Sequence, residues 1–168
     1  MASNPLFSQL KRLSLKSCNF GTDGLRALVT SPHLSKLKRI DLSGNNLTVT
    51  DLELIGTSTC LRSLEWISCS DQSVIDGHEA SAIIDGPVFA NATKLKLSNV
   101  TKDACDYLVT SMKSDNLKVL SLRHSKISML AASHLVKFKN LTKLTVTNYH
   151  LDDGAKFLQS HFSNLKRC

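Results

Sequence analysis

Apolar residues in this chain fall into a short phrase that recurs. In Leu37–Leu47, L-K-R-I-D-L-S-G-N-N-L, they stand at Leu37, Ile40, Leu42 and Leu47, with polar or small residues between. The Ile40/Leu42 alternation has the period of two expected of a strand buried on one face, and Gly44-Asn45-Asn46 stops it. Aligned on L-x-x-L-x-L, six units begin at Leu10, Leu37, Leu61, Ala92, Leu117 and Leu141, spaced 27, 24, 31, 25 and 24 residues apart. A partial seventh unit opens at Leu165, so residues 1–168 form one domain of stacked units. Between the strands, apolar residues recur at helical spacing: Leu25, Leu28 and Val29; Ala104, Tyr107, Leu108 and Met112; Ala155, Leu158 and Phe162. Asp23, Asp103 and Asp152-Asp153 stand where these helices should start, as cap acceptors and as charges suited to a helix N-terminus.

A strand–turn–helix phrase repeated every 20 to 30 residues or so is the mark of leucine-rich repeats. Leu10–Leu28, L-K-R-L-S-L-K-S-C-N-F-G-T-D-G-L-R-A-L, and Cys60–Asp71, C-L-R-S-L-E-W-I-S-C-S-D, resemble the ribonuclease-inhibitor-like and cysteine-containing subfamilies. The resemblance implies an α/β solenoid of about six repeats, curved, with parallel strands on its concave face and short helices on its convex face. It also implies Asn or Cys at the ninth position of each unit, bonded to the backbone of the turn. Cys18, Asn45 and Cys69 fit that position, whereas Val100, Ser125 and Tyr149 do not, which predicts less regular turns late in the chain. No single unit can bury both its strand and its helix, so stability must come from stacking. Six strands about 4.8 Å apart make a sheet roughly 30 Å across.

Two features break the rhythm. Ser70–Asn91 carries Asp71, Asp76, Glu79 and Asp85 without a Lys or Arg, plus Gly77, Gly86 and Pro87. It is expected to be a lengthened, solvated turn, with a binding loop as the alternative. The termini show no capping module, which predicts either a segment of a longer array or end-to-end self-association.

Composition narrows the function classes. Hydrophobic content of 42% and charged content of 21% suit a soluble globular chain, and no apolar run approaches the ~20 residues that span a bilayer. Five scattered cysteines, Cys18, Cys60, Cys69, Cys105 and Cys168, suggest reduced thiols and a cytoplasmic or nuclear location. Four N-x-[ST] sequons, at Asn46, Asn91, Asn99 and Asn140, are about twice the chance number and point the other way, with less weight. The six histidines form no metal-ligand spacing, and no phosphate-binding or nucleophile motif is present. No enzymatic activity, cofactor or metal is expected.

Charge is the informative property. The net charge is +7, and positions 2, 3, 5 and 7 of the six units hold 11 of the 21 Lys and Arg residues: Lys11, Arg12, Lys16, Lys38, Arg39, Arg62, Lys94, Lys96, Lys118, Arg123 and Lys143. The only acids at those positions are Asp41 and Glu65, and the alignment assigns Trp66 to the core. The expected function is a non-enzymatic protein-binding module that holds an acidic partner on a basic concave face. Arg12, Lys16, Arg39, Asp41, Glu65, Lys94, Lys96, Arg123 and Lys143 form the expected contact surface. Nucleic-acid binding by the same surface is the alternative, disfavoured by an aromatic content of 5%. A fragment of a larger adaptor, or an effector secreted to act inside another cell, is the third possibility.

Overall fold

A computed structural model of the chain describes residues 4–70, 74–112, 116–147 and 153–161. Strand and helix alternate: β1 (Arg12–Ser14), α1 (Gly21–Val29), β2 (Arg39–Asp41), α2 (Val49–Thr57), β3 (Trp66–Cys69), α3 (Gly77–Asp85), α4 (Pro87–Ala90), β4 (Lys94–Ser98), α5 (Lys102–Ser111), β5 (Val119–Arg123), α6 (Met129–Leu135), β6 (Lys143–Thr147) and α7 (Asp153–His161). The six strands form one parallel sheet in chain order, β1 to β6. This is the α/β leucine-rich-repeat solenoid of about six repeats that the phrase predicts. Position-4 and position-6 side chains, such as Ile40 and Leu42, Leu95 and Leu97, and Leu120 and Leu122, are buried in a single core with Leu25, Ile55, Ile83, Leu108 and Leu135 from the helices.

The register corrects the third unit. Ile40 pairs with Ile67, and Ile67 with Leu95, so position 4 of this unit is Ile67 and not Leu64. The unit therefore begins at Leu64, three residues after Leu61, and the spacings become 27, 27, 28, 25 and 24. Leu61 imitated the motif because it too is fully buried: it closes the preceding segment, its carbonyl accepting the Leu64 N–H at 3.0 Å. With the shift, Cys69 becomes a position-6 core residue of β3 and not a turn residue. Trp66 moves from the core to position 3, on the other face of the sheet.

The acidic stretch is also corrected. Its described part, from residue 74 onward, is folded into α3 and α4, with Ala80, Ala82, Ile83, Val88 and Phe89 buried. Its acids serve the helix start: Asp76 Oδ1 accepts the His78 N–H at 2.8 Å, and Glu79 Oε2 accepts the Asp76 N–H at 3.1 Å. Asp71 lies outside the described residues. Elsewhere among the described residues the side-chain caps of the α-helices are Thr48, Thr101 and Ser128, while Asp23, Asp103 and Asp153 sit in the first turn, and Asp152 lies outside the described residues. The buried side of α5 is Ala104, Cys105, Leu108 and Val109; Tyr107 is exposed.

The turns after the strands repeat one conformation. Position 8 is left-handed in four units, with φ of 52° at Ser17, 70° at Gly44, 57° at Asn99 and 52° at His124. Next to it, the Asn45 carboxamide accepts from the N–H groups of Cys18 (2.9 Å) and Asn19 (2.8 Å) and donates to the carbonyls of Leu15 and Leu42 (both 2.8 Å). Ser125 does the same work on a shorter arm, accepting the Val100 N–H and donating to the Arg123 carbonyl, each at 3.1 Å. The late turn at Ser125 is thus regular, contrary to expectation. Cys18, by contrast, is exposed at its ninth position. Tyr149 and the unit opening at Leu165 lie outside the described residues.

The sequons have a conformational origin. Asn46 and Asn99 take left-handed backbone (φ 54° and 57°), and the Thr two residues on from each, Thr48 or Thr101, caps a helix. Asn91 and Asn140 precede the first residue of a unit, and Thr93 and Thr142 donate their hydroxyls to the carbonyls of Glu65 (3.0 Å) and Lys118 (3.1 Å). Each of these Thr residues thus makes a local bond within the fold, as a helix cap or to a backbone carbonyl.

These contacts can be tested by substitution and labelling. Asn45→Ala leaves buried donors and acceptors unpaired and should cost about 3 kcal/mol, whereas Cys18→Ala should leave the urea midpoint unchanged. Gly56 and Gly86 bring α2 against the α3–α4 junction, and a Cβ on Gly56 would lie 2.9 Å from the Gly86 Cα. Gly56→Ala should therefore destabilise by about 1–3 kcal/mol, outweighing the ~1 kcal/mol gain in helix propensity; a stabilised variant would contradict the packing. Burial, assisted by the Asp41 charge, pushes the Cys69 thiol up from 9.0 to about 12. The folded chain keeps that proton where the unfolded chain loses it, so this contribution is complete below about pH 9 and is lost as pH rises toward 12. Maleimide at pH 8 should label Cys18 in the folded chain and Cys69 only after unfolding, as read by peptide mass mapping.

Candidate functional site

One face of the sheet carries the helices; the other presents positions 3, 5 and 7. The register sets three cross-strand rows there. The position-3 row runs Arg12, Arg39, Trp66, Lys94, Val119, Lys143, and the position-5 row Ser14, Asp41, Ser68, Lys96, Ser121, Thr145. At position 7 stand Lys16, Ser43, Ser70, Ser98, Arg123 and Thr147. Neighbours within a row are about 4.8 Å apart, so these side chains act on one another directly.

The rows divide into a sunken floor and raised walls. Ser43, Ser68, Ser70, Ser98 and Ser121 are buried although they belong to the open face. Part of this floor is hydrogen-bonded across strands: Ser43 Oγ lies 2.9 Å from Ser68 Oγ and accepts the Ser70 N–H at 3.3 Å. Arg12, Arg39, Lys143, Lys16 and Arg123 are exposed, while Trp66, Lys94 and Lys96 are half-buried. The Lys96 Nζ stands 5.2 Å from the centroid of the Trp66 ring, at cation–π distance.

The expected contact residues therefore separate into groups. Arg12, Arg39 and Asp41 come together with Trp66 around a hollow of about 400 Å³, lined also by Leu13 and Ser14. Lys94 and Lys96 flank the same ring on β4. Arg123 and Lys143 lie on β5 and β6, across Val119 and Ser121 from that cluster, and Lys16 sits beyond the end of β1. Glu65, which the Leu61 alignment assigned to position 5, is at position 2 on the rim, where it accepts a bond from Lys38 at 2.7 Å. That bond and the Lys38 charge hold its carboxyl below the usual carboxylate value. Arg62 leaves the set altogether, since it precedes the third unit as the register defines it.

Trp66 is the residue that the L-x-x-L-x-L alignment misplaced. Its signal was present in the spacing, because starting the third unit at Leu64 makes the first three intervals 27, 27 and 28. A second concavity, of about 330 Å³, lies at the β1 end of the core and is lined by Phe7, Leu10, Leu13, Leu15, Phe20 and neighbours. Among the described residues no three His, Cys, Asp or Glu side chains converge as metal ligands, and no helix is long and apolar enough to cross a membrane.

Known proteins place the phrase in context. Residues 9–29 and residues 36–58 each match a family model described as leucine rich repeat. These cover the first two of the six units that the sheet stacks in register. A search of curated proteins finds no match. Repeats of this kind generally mediate protein–protein interaction. With two repeats matched and six units stacked on one parallel sheet, the chain carries leucine-rich repeats and has the fold of a leucine-rich-repeat solenoid.

Proposed function

We propose that the chain is a non-enzymatic protein-binding module that holds an acidic partner protein against the open face of its sheet. The observation that carries this reading is the charge at positions 3, 5 and 7. Arg12, Lys16, Arg39, Lys94, Lys96, Arg123 and Lys143 stand there against Asp41 alone. Like charges held on neighbouring strands repel, and an anionic surface relieves that cost while raising the rate of encounter. The serine floor favours the same reading, because short side chains between raised cationic walls let a protruding partner approach the sheet. Contacts in the ribonuclease-inhibitor manner, with an acidic face receiving a basic enzyme, have the wrong sign for this surface.

One observation favours nucleic acid as a second reading. Trp66 lies on the open face beside Lys94 and Lys96, so a base has one ring to stack on. Single-strand binders place successive bases on several rings, and among the described open-face positions Trp66 stands alone.

The two readings part in a pull-down at low and high salt, with and without nuclease, comparing the wild type with the Arg39→Glu/Arg123→Glu chain. A salt-sensitive, nuclease-resistant protein that the reversed chain fails to retain is the expected result. Its association rate should fall on the order of tenfold on charge reversal, with a shallower salt dependence. Recovery of nucleic acid alone would move the second reading ahead, and affinity unchanged by the double reversal would remove the open face from the interaction.

A further inference from the structure

We propose that the hollow between Arg12, Arg39 and Trp66 is the focus of binding, and that it receives one anionic side chain of a partner polypeptide (a carboxylate or a phosphate ester) carried beside a flat apolar group. The inference rests on the open-face reading and specifies what that face grips.

Arg12 and Arg39 are direct Cα partners on adjacent parallel strands. Both are exposed, and among the described residues neither guanidinium has a hydrogen-bonded or ion-paired partner. Two planar cations held side by side repel each other, and together they offer a wide fork of donors that matches a carboxylate or phosphate. The charges at the other positions of the face are placed differently: Lys96 is engaged with the Trp66 ring, and Arg123 and Lys143 lie two or more strands away.

Trp66 supplies the apolar side of the hollow. It is half-buried, so part of a large ring is fixed at the rim with its surface available, next to the guanidinium pair. Buried or rim Trp beside Arg is the composition in which interfaces concentrate their energy.

Among the described residues, Asp41 is the one acid lining the hollow. Its Oδ1 accepts the Ser43 N–H at 3.0 Å, which fixes the carboxylate in place. Arg12 and Arg39 in the hollow, with Lys94 and Lys96 flanking its Trp66 wall, outweigh that one carboxylate and leave the site net positive, which suits an incoming anion. A single aromatic ring beside one Arg pair suits an isolated anionic side chain next to an apolar group better than a run of stacked bases.

The chain contains one tryptophan, so its fluorescence reports on this hollow alone. The full chain is titrated with a short Glu-Phe peptide, its phosphotyrosine counterpart, a Lys-substituted control, inorganic phosphate and a single-stranded oligonucleotide. The expected result is a saturable change with the two anionic peptides and none with the Lys control. Arg12→Gln or Arg39→Gln should weaken peptide binding at least roughly tenfold, with circular dichroism unchanged. Trp66→Phe, followed with a labelled peptide, should weaken it comparably.

No response to either anionic peptide would overturn the proposal, as would wild-type affinity in both Arg variants. Peptides that bind no better than inorganic phosphate would reduce the hollow to a bare anion site, and saturation by the oligonucleotide alone would give it to nucleic acid. Failure of the hollow and failure of the open face are distinguishable. A partner protein whose capture depends on Arg123 and Lys143 but not on Arg12 or Trp66 would keep the face and discard the hollow.

Discussion

One backbone interaction repeats at every step of the stack and holds the rest in place. The carbonyl of position 2 accepts two consecutive N–H groups, those of positions 2 and 3 in the next unit. Lys11 O accepts from Lys38 and Arg39 (2.9 and 3.1 Å), and Lys38 O from Glu65 and Trp66 (2.9 and 3.0 Å). Glu65 O then accepts from Thr93 and Lys94 (2.9 and 3.0 Å), Thr93 O from Lys118 and Val119 (2.8 and 3.0 Å), and Lys118 O from Thr142 and Lys143 (2.9 and 3.1 Å). Because these groups belong to the main chain, the side chains at positions 2 and 3 are free to vary from unit to unit. The register does not vary, and it is the register that lines up the core columns on one face and the charged rows on the other. A slip of one residue would exchange the two faces.

That division of labour separates the two faces of the sheet. Core columns such as Ile40, Ile67, Leu95, Leu120 and Leu144 continue from strand to strand, each covered by helices. Left-handed backbone at position 8 turns the chain away from the sheet, at the cost of some strain where the residue is Ser, Asn or His rather than Gly. The open face is built differently. Its cations oppose one another, its serines fill a floor, and its aromatic ring is half-exposed.

The repeat, five of the six strand positions, the helices α1, α5 and α7, and the fold class were legible in the amino-acid sequence by itself. They depend on local alternation and on apolar spacing, which the sequence displays directly: Leu25, Leu28 and Val29 lie on the buried side of α1, and position-4 residues such as Ile40, Leu95 and Leu120 lie in the core. The charges of the face were legible for the same reason, since positions 3, 5 and 7 alternate with the core.

Tertiary structure decided what two overlapping local patterns left open. Around the third unit, Leu61, Leu64 and Ile67 are spaced by three and are all buried, so L-x-x-L fits at either of two starting points. Even spacing favours the second start, hydrogen bonding to β2 fixes it, and that choice carries Trp66 from the core to the open face and Cys69 from a turn to the core. Likewise, the acidic run after β3 reads as a solvated turn by composition. Its described part folds into α3 and α4 because Ala80, Ile83, Val88 and Phe89 bury themselves against the neighbouring units while the acids cap the helix start. Local spacing sets which face each residue takes once the register is known. The register is a property of pairs of strands, and no single strand contains it.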